Sequence, residues 1–140
     1  DKLNLENIIF IEQQSSKVIS SFLQKASALI VTLGDEEVLN LTIPSKIQAY
    51  LYSSKPIIAS INGTSAEILR KSGAAFVVRA GDHIKLKNAI LKFTKLSLKE
   101  RNLMGEKGKI YFENNFSIAK FMNKFMYFMH LSIQNFNKSK

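Results

Sequence analysis

Between Thr42 and Ile61 the chain reads T-I-P-S-K-I-Q-A-Y-L-Y-S-S-K-P-I-I-A-S-I, and this stretch narrows the choice of folds more than any other. Ile43 precedes a proline and is biased towards extended backbone, whereas Pro44 suits a first helical turn, where a missing N–H costs nothing. Ile47, Tyr50 and Leu51 recur at i, i+3 and i+4 and mark one apolar side of a helix. Pro56 ends that segment and opens the run Pro56–Ile61, which predicts a buried central strand. A helix that opens at Pro44 turns the free N–H groups of Ser45 and Lys46, and the positive end of its dipole, towards whatever lies above the sheet. A phosphate fits there.

The flanking segments repeat the alternation. Asn7–Ile11 is a short apolar run that predicts a strand, followed by a helix capped by Ser15 or Ser16 that buries Val18, Ile19, Phe22 and Leu23. Ala28–Leu33 predicts the next strand, and Gly34–Leu41 a polar, acidic loop. Asn62-Gly63 is a turn signal, and Thr64-Ser65-Ala66-Glu67 has the capping-box pattern of a helix that Gly73 closes. Ala74–Val78 reads as a further strand, and Gly81-Asp82 turns the chain into segments of helical pattern only. Leu86, Ile90 and Phe93 form one stripe there, Ser97–Glu100 a second capping box, and Ser117 caps a last helix carrying Ile118, Phe121, Met122, Phe125, Met129, Ile133 and Phe136. That apolar stripe reads first as core, and the chain beyond it, to Lys140, is expected to fray. Strands alternating with helices of about ten residues give an α/β fold: a Rossmann-like parallel sheet with helices on both faces, followed by a helical carboxyl-terminal segment.

With 140 residues the chain is long enough for one domain with a real core. Hydrophobic residues at 46% and charged residues at 22% suit a folded protein. No cysteine is present, which leaves no thiolate metal site or disulfide framework and points to a reducing compartment, the cytoplasm by default. No apolar run approaches the ~18–20 residues of a membrane span, and Asp1–Asn4 does not read as a signal peptide. The net charge of +9 is unevenly distributed: residues 1–84 hold eight Lys/Arg against eight Asp/Glu, residues 85–140 twelve against three. Such asymmetry suggests an acidic partner, whether a membrane surface, a lipid phosphate or nucleic acid.

The strand Ala28–Val31, the turn Pro44-Ser45-Lys46, the helix Ile47–Leu51, the strand Lys55–Ala59, and Gly63, Gly81 and Asp82 follow in an order and spacing that resembles one family. The chain is similar to the carboxyl-terminal, nucleotide-sugar-binding domain of retaining family-four glycosyltransferases of the GT-B class, most closely their bacterial surface-polysaccharide members. The resemblance covers nearly the whole chain. It implies a nucleotide-sugar donor as substrate, neither cofactor nor metal, and an acceptor held mainly by an amino-terminal domain that this sequence does not contain. It implies too that the first two strands of the second domain are missing, with the Arg/Lys pair that helps to hold the diphosphate. The chain then reads as a truncated GT-B domain, inactive in isolation. Its strands at Asn7 and Ala28 would pair directly or find strands of another copy, because exposed edges invite self-association. The last helix, in the family, reaches back onto the amino-terminal domain.

By the same resemblance, Pro44, Ser45 and Lys46 hold the donor diphosphate through backbone N–H groups, the Ser45 hydroxyl and the Lys46 ammonium; the residues alone favour an ordinary capped helix. Gly63 and Thr64 open a second helix above the same sheet edge and face the same ligand, or simply form a capped turn. The family's two glutamates, eight residues apart, fall near Leu41 and at Ala49, so neither is present. Gln48 can offer hydrogen bonds to a ribose, and Glu36 or Glu37 can replace the first glutamate as a catalytic or sugar-binding carboxylate, or be a solvated loop. Ile11, Glu12 and Gln13 lie where family members contact the nucleotide base. His83 and His130 stand without partners at metal spacing, and no Gly-rich phosphate loop of the Walker or dinucleotide type occurs.

Polysaccharide transferases of this kind act on acceptors linked to polyprenyl diphosphate, so the resemblance places the chain at the inner face of an anionic membrane, with Lys85, Lys87, Lys92, Lys95 and Lys99 towards it. A second reading, from another class, is a non-enzymatic α/β module that binds RNA or another polyanion. Aromatic placement separates the two: nucleic-acid platforms expose rings among basic residues, whereas Phe93, Phe121 and Phe125 have core-facing spacing.

Overall fold

The computed structural model describes residues 5–138. Their elements follow in the order α1 (Ser16–Lys25), β1 (Leu29–Thr32), α2 (Glu37–Leu41), α3 (Ser45–Tyr52), β2 (Ile57–Ser60), α4 (Gly63–Ser72), β3 (Ala75–Val78), α5 (His83–Thr94), α6 (Leu98–Asn115) and α7 (Ile118–Lys138). The strands form one parallel sheet in the order β1-β2-β3, with Leu29, Ile57 and Ala75 in register. The architecture is α/β, as expected: a small Rossmann-like sheet with helices on both faces and a helical end.

β2 is the middle strand, and each of its four residues is buried. Alternation of side chains along the strands divides the core in two. Val31, Ile57, Ala59 and Ile61 point to one face, where Ile47 and Leu51 of α3 and Ala66, Ile68 and Leu69 of α4 cover them. Ile58 points to the other face, against Ala89 and Phe93 of α5, with Phe76, Val78, Leu86 and Ile90 around them. Full burial of one Ile or Leu contributes about 1.5–3 kcal/mol, so these few side chains carry much of the stability.

α6 lies against α3 through two glycines. A Cβ on Gly105 would collide with the Ser54 carbonyl, and one on Gly108 would come within 2.9 Å of Ala74 Cβ. Neither glycine has a positive φ, so the requirement is close approach of backbones. At the other end of α6 the capping box is present: Ser97 Oγ accepts from the Glu100 N–H at 3.3 Å, and the Ser97 N–H donates to Glu100 Oε2 at 2.7 Å. Arg101 ties the α5–α6 turn, donating to the carbonyls of Leu96 and Thr94 at 3.0 Å each while its guanidinium sits 4.5 Å from the centre of the Phe93 ring.

Several expectations are corrected. Asn7–Ile11 is exposed coil and pairs with no strand of the sheet; a short apolar run becomes a strand only where an edge hydrogen-bonds to it. α1 forms, but Val18, Ile19 and Phe22 are exposed and only Leu23 is half-buried, because no element covers that side. The acidic loop ends in the helix α2, with Glu36 at its N-cap and Glu37 in its first turn, where negative charge suits the dipole. Pro44 is the N-cap of α3 rather than its first residue: ψ is 140°, and its carbonyl accepts from the Ile47 N–H at 2.9 Å. The Thr64 capping box is absent, because α4 begins earlier, at Gly63 behind the N-cap Asn62, and Glu67 instead faces Lys71 at 3.9 Å. The stripe of α7 is not core: no residue of that helix is buried. Gly73 closes α4 with φ 66°, and Ser117 Oγ accepts from the Lys120 N–H at 3.4 Å, both as expected. The fraying expected up to Lys140 lies partly outside the described residues.

The glycine contact is testable. On an exposed helix Gly→Ala stabilises by about 1 kcal/mol, whereas at Gly105 the added methyl must push α6 off Ser54, at a cost of about 1–3 kcal/mol. We expect G105A to lower the urea midpoint; a raised midpoint would show that the backbones do not meet there.

Candidate functional site

Parallel strands bring all their carboxyl ends to one edge, and the helices that follow β1 and β2 begin at that edge. The segment before α3 and the first turn of α4 are tied side by side, since the buried Ser65 hydroxyl donates to the Thr42 carbonyl at 2.9 Å. Gly63 sits in the left-handed region at φ 65°, and a Cβ there would strike the Asn40 carbonyl, so only glycine lets α2 and α4 meet this closely. Ser45, Lys46 and Gly63 are exposed around this junction, and Pro44 and Thr64 are half-buried. The five residues expected to hold a diphosphate are therefore at the beginnings of two neighbouring helices.

Neither helix has a side-chain cap. Pro44 has no side chain that can cap α3, and Asn62, although of good capping type, makes no cap bond. Its amide is used otherwise: Nδ2 donates to Asp35 Oδ1, and Oδ1 accepts from the Ala80 N–H at 3.2 Å. Asp35 also accepts from Asn40 Nδ2 at 3.4 Å and faces Arg79 at 3.5 Å. Hydrogen bonds from Asn62 and Asn40, with a smaller share from Arg79, hold the Asp35 carboxyl below its ordinary range. The Ser60 hydroxyl completes the edge by donating to the Arg79 carbonyl at 3.1 Å. Asp35, Asn40 and Arg79 belong to none of the sequence motifs, and Asn62 is read there only as part of a turn. Asp35, Asn62 and Arg79 each lie within three residues of a strand's carboxyl end, which is the signal that was there to find.

Glu36 and Glu37 are exposed, and the short helix they begin packs on α4, which fixes them beside this edge. Gln48, half-buried on α3, lines a groove of about 770 Å³ between α3 and the α6–α7 elbow, together with Asn114, Asn115, Phe116 and Lys120 among others. Ile11, Glu12 and Gln13 are not brought to the edge by a strand; they lie in exposed coil, where the Glu12 carbonyl accepts from Gln14 at 3.1 Å. His83 opens α5 and is exposed, and His130 Nδ1 lies 2.8 Å from the Met126 carbonyl. Among the described residues no helix is long and apolar enough to cross a membrane.

The sequence matches the family model of the glycosyl transferases group 1 over residues 1–111, from the amino terminus to near the end of α6. The chain belongs to that family. Neither the comparison with curated proteins nor that with solved structures found a match. Membership accounts for the sheet with its helix beginnings at one edge, and it implies a nucleotide-sugar donor and an acceptor. α7 lies outside the matched residues.

The network around Asp35 has a definite pH signature. A carboxyl held below its ordinary range adds stability that is present above about pH 4, the usual Asp value, and is lost as pH falls through the folded value. The gap between wild type and D35N in urea midpoint is expected to be largest near neutrality and to close below that pH. A gap that stays constant on acidification would show that the charge of Asp35 is not what holds Asn62.

Proposed function

We propose that this glycosyltransferase chain is the donor-binding domain of a retaining GT-B enzyme of bacterial surface-polysaccharide synthesis. The diphosphate of the nucleotide sugar sits over the beginnings of α3 and α4. What supports this reading is the pair of helix beginnings, both without side-chain caps and tied together by the Ser65–Thr42 bond at the carboxyl edge of the sheet. Backbone N–H groups at the beginnings of two helices, each with the positive end of its dipole, suit an anion that bridges them. Ser45 offers a hydroxyl and Lys46 an ammonium, so charge neutralisation is assigned to residues rather than to a metal ion. Gln48, one turn into α3, is assigned to the ribose, and Glu36 or Glu37 to the transferred sugar.

Titration with UDP, GDP and their sugars, followed by NMR, is expected to move the amides of Ser45, Lys46 and Thr64. K46A should weaken binding roughly tenfold, which is about 1.4 kcal/mol. Shifts confined to the basic segment beyond Lys85 would sink the assignment.

The same reading puts the domain beside an anionic membrane. Lys85, Lys87, Lys92, Lys95 and Lys99 are all exposed, although Lys85 is shared with Asp82 at 3.2 Å. Each basic residue near anionic lipid contributes about 1 kcal/mol, falling off within a Debye length, so several together give reversible attachment. Co-sedimentation is expected with anionic but not with neutral vesicles, and to weaken with salt; binding to neither would leave these lysines as a solvated face.

The polyanion-binding reading gains one observation. Phe93 is buried, as its spacing predicts, but Phe121 and Phe125 are exposed and stacked, with centroids 6.1 Å apart, next to Lys120 and Lys124. Exposed rings among lysines are what single-stranded nucleic acid uses. Family membership keeps the glycosyltransferase reading first.

A further inference from the structure

The groove at the α6–α7 elbow has a composition of its own. Its walls are Gln48 of α3, Asn114, Asn115 and Phe116 at the end of α6, and Ile118, Lys120, Phe121, Asn123 and Lys124 of α7. No carboxylate lines it, and α7 contains none at all. Lys120 and Lys124 stand one turn apart, where like charges repel, and among the described residues neither has an ion-pair partner. Two lysines without ion-pair partners that line one groove favour an anion.

The remaining lining restricts the anion further. Gln48, Asn114 and Asn123 carry amides that both donate and accept, the combination that matches vicinal hydroxyls. Asn115 is partly occupied, because its Nδ2 donates to the Tyr111 carbonyl at 2.8 Å. Phe116 is a fixed wall, its ring 6.2 Å from those of both Tyr111 and Phe112, and such a face accepts the C–H side of a sugar ring. The volume, about 770 Å³, lies within the usual range for small-molecule sites and exceeds that of one monosaccharide.

The geometry points to a binding site for an anionic saccharide, a sugar unit bearing a phosphate or a carboxylate, in the groove between α3 and the α6–α7 elbow. The lysine pair takes the charge, the amides take the hydroxyls and Phe116 takes the ring face. The site goes beyond the donor-diphosphate reading, with which it shares Gln48 alone.

Binding is tested on the full chain by NMR with four probes: glucose 1-phosphate, glucuronate, glucose and inorganic phosphate. One of the charged sugars, or both, should shift the amides of Asn114, Phe116 and Asn123 at concentrations where glucose and inorganic phosphate do not, and which of the two is stronger distinguishes phosphate from carboxylate. Glucose binding equally well would overturn the role of charge, inorganic phosphate binding equally well would overturn the saccharide, and unmoved amides would overturn the site. Both lysines are exposed, so the double variant K120Q/K124Q is expected to keep the circular dichroism of the wild type and to lose roughly fivefold or more in affinity, the effect of about 1 kcal/mol. Unchanged affinity overturns the assignment. UDP-induced shifts at Ser45 and Thr64 in the same variant report separately on the donor site.

Discussion

The enclosure of β2 is the constraint on which the rest of the molecule depends. Ile57, Ala59 and Ile61 are fully buried on one side and Ile58 is 2% exposed on the other, so the strand is stable only while helices cover both faces. α3 and α4 supply one cover and α5 the other, and the backbone groups of β2 are satisfied by β1 and β3 in parallel register. Parallel pairing requires every connection to cross back over the sheet, which is what brings the beginnings of α3 and α4 to the same edge. The candidate site is thus a geometrical consequence of burying one apolar strand.

At that edge, polar groups hold the loops in place and leave the helix ends open. Asn62 is the pivotal residue. By donating to Asp35 and accepting from Ala80 it joins the loops that follow all three strands, and it is thereby withheld from capping α4. A cap contributes about 1 kcal/mol, so the interstrand bonds must stabilise the fold by at least as much. Asp35 and Arg79 are largely exposed, and an ion pair of that kind contributes little by itself; the hydrogen bonds from the two asparagines matter more to the position of the loop.

The described chain divides energetically into a packed part and two arms. All of the buried apolar core lies between β1 and α5, whereas α1 and α7 contain no buried residue; in α7, Phe121 is 65% and Ile133 53% exposed. An apolar face of that length is unusual on a monomer. The elbow at Phe116 is nevertheless well defined. The rings of Tyr52, Phe112, Tyr111 and Phe116 form a chain that fastens the end of α6 to α3 and so shapes the groove that α7 completes.

Local pattern was sufficient for the α/β class, the central strand, α3 with Ile47 and Leu51 inward, the αL close at Gly73 and the capping box at Ser97, because each depends on periodicity or on bonds within one turn. The anion-binding candidates Pro44–Lys46 and Gly63-Thr64 were legible for the same reason: they are helix beginnings. What sequence left open depends on partners distant in the chain. Asn7–Ile11 has strand composition but pairs with no strand of the sheet, and α1 and α7 have amphipathic spacing but no buried residue on their apolar sides. Spacing states that a stripe exists, never that something covers it. The cluster of Asp35, Asn62 and Arg79, the Gly105 contact with Ser54 and the groove beside Gln48 were decided by tertiary structure alone, since each joins residues that only the parallel crossovers and the packing of α6 on α3 bring within bonding distance.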